Sequence, residues 1–182
     1  SALRLLSGSP HAMPPTRTFT TAHEGSMHLN ACLSILILLT AANGAPLIAK
    51  RLLGDLLATP LDGGAIFFDR RPILGSSKTI RGVVAGMLTA AVLAPLLALT
   101  WQTGLVIGAA AMAGDIVSSF AKRRIGLAPS SQAFGLDQIP ESLFPALAAM
   151  ALAGLTLVDV AIVTAVFTVG SVALSVVLHR VG

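Results

Sequence analysis

Residues 29–48 run for twenty positions without a charged side chain, and residues 82–101 do so again. A helix of that length rises about 30 Å, the thickness of a bilayer's hydrocarbon core. The chain of 182 residues carries only 12 Lys+Arg and 8 Asp+Glu, 11% of its positions, against about 25% in soluble domains. That is too few to clothe a water-soluble globule. Hydrophobic residues at 54% and a mean hydropathy of +0.84 exclude a disordered chain. The expected fold is therefore all-α, a polytopic integral membrane protein. The net charge of +4 points to membrane topology or anionic ligands, and not to nucleic acid. The lone cysteine, Cys32, gives no intrachain disulfide.

Three further apolar runs follow, at 102–120, 142–158 and 160–178, giving five expected spans. Asp115 interrupts the third, and Asp159 separates the last two. Residues 1–27 are polar, with Pro10, Pro14 and Pro15, and read as a disordered tail or a start-site extension ahead of a catalytic domain at 28–182. The small residues of TAANGA resemble a signal-peptide cleavage site. However, no Lys or Arg lies between Arg17 and Lys50, so a retained first helix is expected.

The positive-inside rule orients the spans. Six Lys/Arg fall in the connection after the first run: Lys50, Arg51, Arg70, Arg71, Lys78 and Arg81. Lys122, Arg123 and Arg124 follow the third. Five spans put both connections on one side. The amino terminus is thus expected outside, and the basic loops and carboxyl terminus in the cytoplasm.

Ionisable residues inside a span are costly and commonly functional, which singles out Asp115. Ser118, Ser119 and Lys122 share its helical face at i+3, i+4 and i+7. The simpler reading pairs Asp115 with Lys122 at a helix end and makes 122–124 a membrane anchor. Asp137 either caps the fourth helix or joins Asp115 at a divalent cation, since Mg²⁺ uses one or two carboxylates plus phosphates. In the first loop Asp62 and Asp69 alternate with basic residues, and Gly75, Ser76 and Ser77 precede Lys78 as a turn suited to phosphate oxygens. GSSKT is not a Walker motif, because the upstream G-x-x-x-x-G-K pattern is absent. Asn43 is an amide at span depth beside Pro46, which should kink its helix. No Ser-His-Asp or Cys-His set and no haem, zinc or flavin motif is present. Bases for polyphosphate and acids for a metal on a membrane scaffold suit phosphoryl or nucleotidyl transfer to a lipid.

These motifs carry a resemblance. ANGAP at 42–46, PLDGG to FDRRPILGSSKTIRG at 60–82, GDIVSSFAKRRIG at 114–126 and LDQIPES at 136–142 resemble the CDP-archaeol synthase family, over roughly 29–182. Those are membrane CTP-dependent cytidylyltransferases, similar in turn to phosphatidate cytidylyltransferases. The resemblance implies CTP and a membrane lipid phosphate as substrates, a CDP-lipid and pyrophosphate as products, and Mg²⁺ as cofactor. It implies Asp115 and Asp137 as metal ligands, with Lys78 beside them in catalysis. It implies Lys78, Arg81, Lys122 and Arg123 on phosphates, Asp69 and Arg71 in the loop closing the nucleotide site, and Asn43 in the first-helix motif. The family loop commonly reads Asp-Gly-Arg where this chain has Asp69-Arg70-Arg71. A small transporter using Asp115 as an ion site, or a non-catalytic lipid-binding protein, fits parts of the same pattern. Such a scaffold is compatible with a homo-oligomer.

Overall fold

The computed structural model describes residues 28–131 and 133–181, with side chains to residue 176. The expected tail at 1–27 lies outside the described residues. Five α-helices follow in order: α1 (Leu29–Leu53), α2 (Ile80–Leu93), α3 (Trp101–Arg124), α4 (Gln138–Ala153) and α5 (Leu157–Val181). A 3₁₀ turn, Ala94–Leu97, extends α2 where Pro95 cannot continue the α-helical bonding. Among the described residues there is no strand, only two isolated bridges. The all-α expectation holds.

The expected count of five spans is not reproduced. Among the described residues, four helical segments are long and apolar enough to cross a bilayer: Leu29–Leu53, Ile80–Leu97, Trp101–Arg124 and Leu157–Val176. The fourth helix has 16 residues, a rise of about 24 Å. The fourth run was expected to reach residue 158, but Gly154 takes a left-handed conformation (φ +69°) and stops α4. Asp159 then belongs to the first turn of α5. It forms a reciprocal cap, accepting from the Thr156 N–H (2.9 Å) while the Thr156 hydroxyl accepts from its own N–H (3.2 Å). Asp159 is fully buried and also meets His28 Nδ1 at 3.1 Å, stitching the start of α1 to the start of α5.

Small residues let the helices pack closely. A Cβ on Gly108 would lie 2.9 Å from Met87 Cα of α2, and one on Gly104 would overlap the Ala90 carbonyl. Ile35, Leu38, Leu39, Ala42, Ile107, Ala111, Ala146 and Val163 fill the centre. Leu33, Ile37, Val84, Val92 and Val166 stay exposed, as lipid-facing residues must.

The loop between α1 and α2 is closed at its neck and docked at its tip. Leu61 N–H donates to the Lys78 carbonyl (2.8 Å) and Ile80 N–H to the Thr59 carbonyl (3.1 Å). Asp62 organises the interior by accepting from the N–H groups of Leu74 (2.8 Å), Gly75 (3.2 Å) and Gly64 (3.0 Å). Burial pushes its carboxyl pKa up, but those N–H groups outweigh it, Leu74 foremost, and hold it below the usual range. The clamp therefore persists above the ordinary carboxyl pKa of about 3.9 and is lost as pH falls through the lowered value. Asp62→Ala should leave these N–H groups without an acceptor, at about 1–3 kcal/mol. Limited trypsin digestion at neutral pH should cut after Arg70 faster than in the parent, Pro72 blocking the bond after Arg71; an unchanged rate would refute the clamp.

Candidate active site

The loop tip is fastened to the end of α3. Arg124 pairs with Asp69 (2.5 Å), donates to the Pro72 carbonyl (2.5 Å) and stacks over Phe67 and Phe120, 4.6 and 4.9 Å from the ring centres. Arg71 donates to the Arg124 carbonyl (2.5 Å), one of the orphan acceptors of the helix end. Asp69 and Arg71, expected to close a nucleotide site, thus act in the structure as loop fasteners. Arg70 sits at φ +63°, a left-handed conformation that favours glycine, so the turn keeps its shape although arginine is strained there.

The Asp115–Lys122 end-of-helix pairing does not occur. Both oxygens of Asp115 accept from Lys78 Nζ, at 2.5 and 2.6 Å, so the ammonium crosses from the first loop to α3. Lys122 pairs instead with Asp137 at 2.6 Å and donates to the Ser131 carbonyl at 3.1 Å. Lys122 and Arg123 are 7% and 3% exposed, too buried to serve as surface anchors. The stripe expected from Asp115 through Ser118 and Ser119 to Lys122 is real, and it faces inward. Asp137 makes no side-chain cap on α4. Its other oxygen accepts from the Ala133 N–H at 3.0 Å.

Glu141 is the residue that sequence reasoning missed, standing there only inside the LDQIPES motif. Its carboxyl adjoins that of Asp115 in the cavity wall, and the charges of Lys78 and Asp137 act on it. Two carboxyl groups side by side share a proton or need a cation between them. Glu141 lies four residues after Asp137, one helical turn along the same face, and that spacing was the available signal.

A polar cavity of about 380 Å³ opens at this end of the bundle. Asn43, Lys78, Arg81 and Asp115 line it, as do Ser76 and Ser77 from the expected phosphate-cradling turn. Lys50 and Glu141 join them. Lys122, Arg123 and Asp137 stand outside its wall. Several buried polar atoms here have no partner, among them Asn43 Nδ2, Arg81 Nε, Arg123 Nε and Nη1, and Ser119 Oγ. Unsatisfied groups of this kind cost stability unless something meets them. Among the described residues no three His, Cys, Asp or Glu side chains gather closely enough to hold a metal alone. Asp115 and Glu141 both face the cavity, and two carboxylates are a donor set that Mg²⁺ can complete with phosphates and water.

The family model for CarS-like CDP-archaeol synthase matches residues 29–180. The chain belongs to the CDP-archaeol synthase family. Among its relatives, the CDP-archaeol synthase of Hyperthermus butylicus is 40% identical over 105 residues, 54% of this chain and 60% of the relative. That of Pyrococcus furiosus is 36% identical over 107 residues, 53% of this chain and 60% of the relative. That of Methanopyrus kandleri is 44% identical over 86 residues, 44% of this chain and 50% of the relative. The matched segments thus span between half and three fifths of these relatives. A solved structure described as an intramembrane enzyme for archaeal membrane lipids biosynthesis superposes with a TM-score of 0.69 at 27% identity. It covers 79% of this chain and 92% of its own. The expected membership and the helical membrane architecture both hold.

Proposed function

We propose that the protein is a CTP-dependent cytidylyltransferase acting on a lipid phosphate in the membrane. The observation that carries this reading is the cavity beside α1 and α2, lined by Lys78, Arg81, Asp115 and Glu141 at the basic end of an apolar bundle. An oxygen of the lipid phosphate attacks the α-phosphorus of CTP. The bond from that phosphorus to the bridging oxygen breaks, pyrophosphate leaves with the electron pair, and a CDP-lipid forms. Both reactants are anions, so catalysis is chiefly positioning and charge neutralisation. The family name points to an isoprenoid glycerophosphate as acceptor.

Lys78 would supply one positive charge to the triphosphate, with the Ser76–Ser77 turn beside it. Lys122 and Arg123, at the end of α3, would meet its far end. Mg²⁺ held by Asp115 and Asp137 would neutralise phosphate charge and strengthen the leaving group. Lys78 and Lys122 meanwhile hold these acids in place. The orientation that suits this chemistry puts the cavity at the cytoplasmic face, where CTP is found.

The direct test incubates purified protein in detergent with labelled CTP, Mg²⁺ and a panel of lipid phosphates. A labelled CDP-lipid with equimolar pyrophosphate is the expected result, and its absence across the panel would overturn the reading. Lys78→Ala should raise the KM for CTP about tenfold or more, the worth of one charge-assisted hydrogen bond. An unchanged CTP dependence would remove Lys78 from the nucleotide site.

A further inference from the structure

Two largely apolar cavities on the flanks of the bundle adjoin the polar one. The first, about 310 Å³, lies between α1 and α2 and is walled by Ala49, Leu53, Val84, Ala85 and Leu88, with Arg81 at its edge. The second, about 490 Å³, lies between α1 and α5 and includes Phe167 and Gly170, with Asn43 at its edge. Arg81 and Asn43 also line the polar cavity, so each groove has one residue reaching the candidate site.

Arg81 distinguishes the two. Its side chain is buried, with the residue 7% exposed. Nη1 donates to the carbonyls of Gly54 (2.6 Å) and Leu56 (2.8 Å), and Nε has no partner. Lys78, Lys122 and Arg124 each have a carboxylate partner, whereas no described carboxylate pairs with Arg81. A buried guanidinium without a counter-ion is poised for an anion. Depth argues the same way. Arg81 is the second residue of α2, at the basic end. Asn43 lies ten residues before the end of α1, about 15 Å from it, whereas the Arg81 guanidinium donates to Gly54 just past that end. A phosphate approaching Asn43 from the α1–α5 groove would have to cross that apolar wall. At Arg81 it stays at the interface while its chain enters the groove.

We propose that the acceptor lipid lies in the α1–α2 groove, its chain against Leu53, Val84 and Leu88 and its phosphate on Arg81, facing the polar cavity. This rests on the cytidylyltransferase reading for the fate of the lipid, and on the groove and Arg81 alone for its place. Arg81 thereby serves the attacking phosphate, and Lys78 the triphosphate.

The test uses the full chain in nanodiscs and an alkyl glycerophosphate with a photoreactive diazirine in its chain, without nucleotide. Mass spectrometry should place the labels at 49–57 and 80–88, and glycerol phosphate lacking a chain should not displace the probe at equal concentration. Val84→Trp, at an exposed lipid-facing position, and Ala85→Trp should each cut labelling and raise the KM for lipid at least about tenfold, leaving the KM for CTP within about twofold. Gly170→Leu, whose side chain enters open space in the other groove, should change neither. Labels at 166–174, displacement by glycerol phosphate, or an unchanged lipid KM in both tryptophan variants would overturn the proposal. Labelling as expected without any CDP-lipid formation would refute cytidylyl transfer and leave the groove standing.

Discussion

Asp115→Asn should lower CDP-lipid formation by at least about 100-fold, the scale of losing a charge fixed at the reacting centre. Asp137→Asn should do the same, with membrane insertion unchanged in both. The substitution keeps the shape of the side chain and removes its charge. In Asp115→Asn, Lys78 Nζ loses the carboxylate that it meets at 2.5 Å, about four fifths of its side chain being buried. That orphaned ammonium destabilises the protein as well, so lost activity alone would be ambiguous. The double variant Lys78→Met/Asp115→Asn separates the two effects. Removing both partners of a buried pair is commonly neutral, whereas removing one is not. Thermal unfolding in detergent should therefore place the double variant closer to the parent than Asp115→Asn, while labelled CTP still yields no CDP-lipid. Full activity in both Asp115→Asn and Asp137→Asn would sink the metal assignment.

The helices were legible because their cause is local. Charge-free runs as long as a bilayer is thick cannot leave backbone groups unpaired, and Thr79 and Thr100 cap α2 and α3 through their own side chains. The fourth helix was misjudged because its end depends on Gly154 adopting a left-handed conformation, a backbone choice hydropathy does not record. Within the site, Asn43, Lys78, Arg81 and Asp115 were legible and do meet at one cavity. Their pairing was not. Which lysine reaches which aspartate depends on how the first loop folds back, and Lys78 is 37 residues from Asp115. Asp69 and Arg71 were expected in the loop that closes the nucleotide site, and that they hold it through Arg124 and the end of α3 follows from the fold, not from residue type. Charge type alone cannot tell a fastener from a ligand. Glu141 was hidden for the opposite reason: an acid in the first turn of a helix already has a sufficient local explanation.

Gly114→Val should reduce activity about 100-fold without touching a charged group, the loss expected when reacting groups move by an ångström. Gly114 is buried on α3, next to Asp115, where α4 begins. A Cβ there would overlap the Pro140 carbonyl and stand 2.8 Å from the Glu141 Cα. Both obstacles are backbone, so no side-chain rotation relieves them, and the start of α4 must move. Glu141 would then leave Asp115, and Asp137 would shift against Lys122. Overpacking of this kind also costs about 1–3 kcal/mol of stability. Gly170→Ala is the matched control, because its Cβ meets nothing within 4 Å. The measurement is CDP-lipid formation over a range of CTP and Mg²⁺, with Tm recorded alongside. If glycine serves only to save space between helices, Gly114→Val loses stability and keeps its kcat. If it sets the distance between the Asp115 and Glu141 carboxyls, kcat falls far more than Tm accounts for, and the Mg²⁺ requirement rises. The second result is expected, because the crowded atoms belong to Pro140 and Glu141 themselves.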